Sequence, residues 1–249
     1  MMTLITSAQN NTIKNIKKLQ KAKERKKQQK FIIEGAHLVE MAHASKWPID
    51  LLLATEDYIL PKSLADYPLE RISSNVLDHL TETKTPQGIV AVLNKKEIAF
   101  PVDAKRVLIC DSVQDPGNLG TMIRTADAAG FDAVICGSGT ADLYNDKTIR
   151  STQGSLFYMP VITVDLNEQL TELKDSGFYI WAAALQDSIA YNEAEKKEKL
   201  AIIVGNEGAG IQDSVLAQAD QIVKIPIFGK AESLNVSIAA GILMYEAKK

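Results

Sequence analysis

Five polar side chains, Asn118, Arg124, Glu207, Ser233 and Asn235, fall in three short segments whose composition suits ligand binding. The first is Asp115-Pro116-Gly117-Asn118-Leu119-Gly120, continued by Thr121-Met122-Ile123-Arg124-Thr125-Ala126. It joins a turn, a helix start and an arginine, whose planar fork of donors matches oxyanions. The second, Gly205-Asn206-Glu207-Gly208-Ala209-Gly210, carries three glycines in six residues, which lets the backbone approach a small molecule closely. It is neither the Gly-x-Gly-x-x-Gly dinucleotide fingerprint nor a phosphate loop ending in Lys-Ser/Thr. The third runs from Ile225-Pro226-Ile227-Phe228-Gly229 to Glu232-Ser233-Leu234-Asn235-Val236-Ser237, just ahead of the last helical stretch. Taken singly, each has a plain structural reading: an N-cap Asn118 with a surface Arg124, a glycine-rich turn, and caps at Ser233 and Asn235. Each also follows an apolar strand-like run and leads into a helix, and that shared placement implies one composite site.

The elements that must position these groups form an α/β pattern. The run Arg106-Val107-Leu108-Ile109-Cys110 reads as a buried strand, and further strands are expected over 133–136, 161–164, 179–184, 201–204 and 222–225. Near-continuous apolar runs such as Leu200-Ala201-Ile202-Ile203-Val204 indicate a parallel sheet covered on both faces. Open sheets of this kind place ligands at the carboxyl ends of their strands, where Asn118 and Arg124 should lie. Residues 1–94 read as a smaller α/β unit, with strands over 31–34, 49–54, 69–72 and 88–93, a helix over 36–44, and one capped by Ser74 through residue 80. Residues 95–105 are the linker candidate, and 106–249 the second domain.

Composition is that of an ordinary globular protein, with 46% hydrophobic and 24% charged residues and a net charge of -3. No apolar run reaches membrane-helix length and no signal-peptide core is evident, so a cytoplasmic location is expected. Cys110 and Cys136 close strand-like runs and read as buried thiols, and His37, His43 and His79 lack metal-ligand spacing; no metal is expected. Charge is unevenly spread. Nine basic residues lie between Lys14 and Lys30 against the single acid Glu24, and the remainder of the chain carries a balance of -11. Such a segment suits a phosphate backbone, with Lys17, Lys18, Lys21 and Arg25 as contacts, and equally a solvated helix face. Ile13, Ile16 and Leu19 recur at helical spacing, so one stripe should pack while the lysines face outward.

In order and content the three segments resemble the SpoU (TrmH-like) branch of the SPOUT RNA methyltransferases, over the chain from about Val107 onward. The N-terminal unit, with Phe31-Ile32-Ile33-Glu34-Gly35 and Thr85-Pro86-Gln87-Gly88, resembles the ribosomal-protein-like RNA-binding domain that often precedes it. The resemblance implies a parallel-sheet domain with a deep trefoil knot, and methyl transfer from S-adenosyl-L-methionine to a ribose 2′-hydroxyl of RNA, with ribosomal RNA favoured over transfer RNA by the two-domain layout. It further implies a homodimer and a catalytic set of Asn118, Arg124, Glu207, Ser233 and Asn235. Leu185, Gly205, Ile225, Ile227 and Leu234 would line the adenosyl pocket, and Arg150 would face RNA, although Gln153 stands where many relatives have a small residue. Guanidinium is always charged, so Arg124 is read as a clamp on phosphate and ribose rather than a proton acceptor, with Glu207 and Asn118 holding it and the loops in register. Two other readings compete: a doubly wound enzyme using a nucleotide cofactor, and an RNA-binding member of the same fold without catalysis.

Overall fold

The structure is a computed structural model that describes residues 4–249. It divides into two compact units, one running to Glu97 and including Tyr144–Phe157, the other comprising Ile98–Leu143 and Tyr158–Lys249.

In the first unit the basic segment forms two helices, α1 (Asn11–Lys18) and α2 (Ala22–Gln28), the first capped by the Asn10 side chain on Thr12 N. Strand β1 (Lys30–Glu34), helix α3 (Ala36–Ala44), strands β2 (Ile49–Thr55) and β3 (Leu69–Ile72), helix α4 (Ser74–Leu80) and strand β4 (Ile89–Asn94) follow. Ser74 is the first residue of α4 and not its cap, which is Ser73. The strands lie in the order β1-β4-β2-β3, antiparallel except for β2 with β3. The central strand β4 is the most buried, and its alternate residues Val90 and Val92 pack against Ile13, Ile16 and Leu19 and against Val76, Leu77 and Leu80. The apolar stripe of the lysine-rich segment thus anchors it to the sheet, as its helical spacing requires.

The second unit begins with β5 (Arg106–Cys110), α5 (Pro116–Ala128) and β6 (Ala133–Cys136). The chain then contributes Tyr144–Phe157, with helix α6 (Asp146–Thr152), to the first unit. That contribution departs from the expected undivided domain over 106–249. Rings explain it: Tyr144 packs on Phe31 with centroids 4.6 Å apart, and Phe157 on Trp47 at 5.4 Å. The chain resumes with β7 (Val161–Thr163), α7 (Leu166–Asp175), β8 (Tyr179–Ala183), β9 (Ile189–Ala190), β10 (Leu200–Val204), α8 (Asp213–Leu216), β11 (Gln221–Lys224) and α9 (Val236–Glu246). All seven strands are parallel, in the order β7-β6-β5-β10-β8-β11-β9.

Burial on both faces accounts for the continuous apolar runs. Leu108 and Ile202 join the core beneath α5 and α9, with Met122, Ile123, Leu243 and Met244. Val107, Ile109, Ala201 and Ile203 join the opposite core, with Leu166, Leu170 and Leu173 of α7. The chain runs outward from β5 through β6 to β7, then returns to build the other half of the sheet, so the order reverses between β5 and β10. A crevice at the carboxyl ends of those two strands is where this topology places a ligand. Among the described residues no helix is long and apolar enough to cross a membrane.

Candidate functional site

Val204 pairs with Cys110 across the switch point, so the loops after β10 and β5 leave the sheet side by side. Helix α5 starts with Pro116, which loses nothing there because the first helical N–H has no intrahelical partner. Its cap is Asp115, whose carboxylate accepts from Asn118 N at 2.8 Å. Asn118 is therefore not the cap the sequence suggested, and its side chain is available for other contacts. Its Nδ2 donates to Glu207 Oε1 at 2.9 Å, and its Oδ1 accepts from Asn235 Nδ2 at 3.0 Å. A carboxylate only accepts, so the Asn118 amide must turn its nitrogen to Glu207 and leave its oxygen for Asn235. Asn235 in turn caps α9, accepting from Ser237 N at 2.9 Å and Ser237 Oγ at 2.6 Å. One hydrogen-bonded chain, Glu207–Asn118–Asn235, thus joins the three segments.

Glu207 also accepts from the backbone N–H groups of Gln114 and Asp115, each at 3.1 Å. Partial burial pushes its carboxyl up, but hydrogen bonds from the Asn118 side chain and from backbone N–H groups, including those of Gln114 and Asp115, together outweigh that and hold its pKa below the ordinary value. A carboxylate so committed ties loops together and is a poor base. Arg124 is exposed on α5 and its side chain makes no hydrogen bond or ion pair among the described residues, so Glu207 and Asn118 hold the loops but not this side chain. Ser233 lies in the exposed loop before α9 and does not cap it.

Beside this chain opens a cleft of about 800 Å³ lined by all five expected pocket residues, Leu185, Gly205, Ile225, Ile227 and Leu234, and by Glu207, Ser233 and Asn235. Asn118 and Arg124 are not among its lining residues. The glycine loop closes on itself: Asn206 N donates to Gly210 O at 2.8 Å and Gly210 N to Asn206 O at 3.0 Å, while Asn206 Oδ1 accepts from Gly208 N and Ala209 N, both at 2.9 Å. A Cβ on Gly205 would sit 2.3 Å from the Gly210 carbonyl carbon, so only glycine fits where the loop returns. Size, apolar walls and a few convergent polar groups suit a nucleoside-sized molecule.

In the first unit, Lys14, Lys17, Lys18 and Lys21 line a groove of about 500 Å³ with Asn11, Asn15 and His79. Arg25 does not share it. It is only 4% exposed, and its Nη1 donates to the carbonyls of Leu19 and Gln20 at 2.9 and 2.7 Å, closing the turn after α1. Arg150 pairs with Asp146 one helical turn earlier; burial raises the Asp146 carboxyl, and Arg150 pulls it back only in part. Both arginines thus have structural partners where RNA contacts were expected. Cys110 and Cys136 are buried free thiols, and a hydrogen bond with Cys136 together with desolvation pushes the Cys110 thiol well above the ordinary range. Sequence reasoning missed Lys14 and His79 in the groove, and Asp115 as cap, although an Asp followed by Pro at a helix start is a cap signal.

Comparison with known proteins matches residues 105–245 to the SpoU rRNA Methylase family and residues 10–91 to the MRM3-like substrate binding domain. The 23S rRNA (guanosine(2553)-2′-O)-methyltransferase RlmP of Bacillus subtilis is 46% identical over 248 residues, which is 99% of this chain and 100% of that protein. The AdoMet-bound rRNA methyltransferase from Sinorhizobium meliloti superposes with a TM-score of 0.91 at 30% identity, covering 99% of this chain and 97% of its own. The SpoU methyltransferase AviRb from Streptomyces viridochromogenes, in complex with AdoMet, superposes at 0.86 with 26% identity, over 96% and 97%. With its three polar segments joined by hydrogen bonds and a family match over more than half its length, the chain belongs to the SpoU rRNA methylase family.

Proposed function

We propose that this protein methylates the ribose 2′-hydroxyl of a guanosine in 23S ribosomal RNA, using S-adenosyl-L-methionine bound in the cleft beside Gly205. The observation that carries the site is the Glu207–Asn118–Asn235 chain at the edge of that cleft. The 46% identity over the full length to the 23S rRNA enzyme supports the target. Gly205, Ile225 and Ile227 offer backbone groups and apolar walls that fit an adenosyl moiety, with Leu185 and Leu234 as further walls. When bound there, the cofactor supplies an electrophilic methyl on a sulfonium.

The protein's own part is positioning. In-line transfer requires the ribose oxygen to be held close to the donor, and orientation can contribute about 7–11 kcal/mol to a barrier. Arg124, charged and without a protein partner among the described residues, is the clamp for the target phosphate and ribose. Ser233 offers a hydroxyl at the cleft wall. Lys14, Lys17, Lys18 and Lys21 contact the RNA backbone and carry no sequence information by themselves.

Two finer features complete the reading. The segment after Gly205 forms a deep trefoil knot, in keeping with the family and with the tight return of the loop on itself. The chain acts as a homodimer through α9, which is largely apolar and leaves Ile238 and Tyr245, seven residues apart, each 54% exposed. Light scattering tests the dimer, with a monomeric mass as the contrary result. The function itself is tested with labelled methyl donor and 23S rRNA fragments: transfer to a 2′-hydroxyl is expected, and Arg124→Lys is expected to lose turnover and RNA affinity together. Transfer to transfer RNA alone, or cofactor binding without transfer to any RNA, would overturn the reading; full turnover by Arg124→Lys would remove the clamp.

A further inference from the structure

Asp111, the residue that follows β5, is fully buried and is used by none of the chemistry above. Its environment is unusual for a buried carboxylate, because no cation pairs with it among the described residues and three donors converge on it. Gln212 N donates to Oδ2 at 2.7 Å and Gln212 Nε2 to Oδ1 at 2.6 Å, while the single Ser112 hydroxyl proton is shared between Oδ1 at 3.2 Å and the carbonyl of Ser138 at 2.9 Å. A carboxylate accepts at both oxygens, which suits two donors arriving from one residue. A buried polar group is tolerated only when so bonded.

What Gln212 belongs to gives this arrangement its meaning. It stands between Ile211 and Asp213, which with Gly210 line the cleft assigned to the methyl donor. The other foot of the same loop is tied to the next residue along: Asn206 Nδ2 donates to the carbonyl of Ser112 at 2.8 Å, and Ser112 takes a left-handed conformation with φ of 57°. Asp111 and Ser112 therefore grip both feet of the glycine loop, one through a side chain and one through a strained backbone. Between those feet lies Glu207, whose bonds to Asn118 and to the start of α5 set the rim of the cleft.

We propose that Asp111 is a positioning residue for the methyl-donor cleft: through Gln212 it fixes the wall formed by residues 210–213 and so sets cofactor affinity without touching the cofactor. This rests on the reading of the cleft as the S-adenosyl-L-methionine site. Removing the carboxylate leaves two donors of Gln212 without their acceptor and frees that wall to move. The loss then falls on cofactor binding, which appears in KM for the cofactor rather than in kcat at saturation. Asparagine restores the geometry, since its oxygen accepts from Gln212 N and its amide can donate to Gln212 Oε1 once that side chain flips.

Calorimetric titration of S-adenosyl-L-methionine into the full chain, with KM, kcat and Tm alongside, tests this. Asp111→Ala is expected to weaken cofactor binding roughly tenfold, which is about 1.4 kcal/mol, with KM rising in parallel and kcat at saturation little changed. Asp111→Asn should recover most of that loss. A lowered Tm with unchanged cofactor affinity would make Asp111 merely structural, and equal losses in Asp111→Asn and Asp111→Ala would replace the hydrogen-bond role with one of charge; either overturns the proposal. If Asp111→Ala does not fold, Gln212→Ala removes only the side-chain bond: a loss of a few-fold supports the proposal and unchanged affinity overturns it. A wild-type chain that binds no cofactor would instead refute the reading of the cleft, and this inference with it.

Discussion

Alanine at Gly205 is the smallest change that tests whether the glycine loop shapes the cofactor cleft. Its added Cβ would lie 2.3 Å from the carbonyl carbon of Gly210, 2.4 Å from that carbonyl's oxygen and 2.4 Å from Ile211 N, where ordinary contact begins at 3.4 Å. All three are backbone atoms, so no side chain can swing aside; the loop itself must move by about 1 Å, the scale on which misplaced groups lose catalysis. Gly205 has no positive φ, so the objection to alanine is contact and not conformation. Overpacking of this kind costs about 1–3 kcal/mol, and if the cofactor-binding form bears it, affinity falls by roughly 5- to 150-fold. Calorimetry with S-adenosyl-L-methionine reads that loss, and thermal unfolding reports how much of the strain the free protein carries. Gly229→Ala is the control, because a Cβ there meets nothing within 4 Å. A Gly205→Ala protein with wild-type stability and wild-type cofactor affinity would refute the reasoning.

Asn118→Ala breaks the bonds to both Glu207 and Asn235, and turnover should fall by roughly 100-fold, the order seen when one preorganised polar group is lost, with only a small change in Tm; unimpaired turnover would show that the three segments act independently. Because Glu207 has its folded pKa depressed, its tether contributes fully above the ordinary glutamate value and is lost only as pH falls through the lowered one; Asn118→Ala removes a cause of the depression, so the acid loss of cofactor binding should begin at higher pH in that variant. Replacing Lys17, Lys18 and Lys21 together by alanine should reduce the slope of log RNA affinity against log salt by roughly 2, at about 0.7 per single-strand phosphate. Arg25→Ala should leave that slope intact and instead lower stability by about 1.5–3 kcal/mol, the worth of a hydrogen bond to a charged group; the reverse pattern in a filter-binding and melting comparison would undo the assignment of the groove.

Much of the second unit was legible because its strands are buried on both faces and so are apolar without interruption. Leu200–Val204 and Ala133–Cys136 are buried throughout, and periodicity needs little help there. Ile189–Ala190 escaped because two half-buried residues carry no pattern; they are a strand only by pairing with β11. The division at Tyr144–Phe157 escaped for a related reason, since what places that segment in the first unit is ring packing on Phe31 and Trp47, which are about 110 residues away in the chain. The lysine-rich helices show the limit of composition: charge identified the segment, but only helical geometry separates Lys17, Lys18 and Lys21 in the groove from Arg25, turned onto the carbonyls of Leu19 and Gln20. For the site, motif content located Asn118, Glu207 and Asn235, while the order in which they bond was set by who caps α5. Asp115 takes that role and frees Asn118 to link the other two.

One nucleotide of 23S rRNA is the proposed target. Mapping 2′-O-methylation across total RNA from cells with and without the gene, and from cells carrying the gene on a plasmid, measures it directly. A single guanosine of 23S rRNA should lose its methyl group in the deletion and regain it with the wild-type copy. A deletion that leaves every ribosomal 2′-O-methyl in place, or that removes one from transfer RNA instead, would contradict methylation of 23S rRNA by this protein.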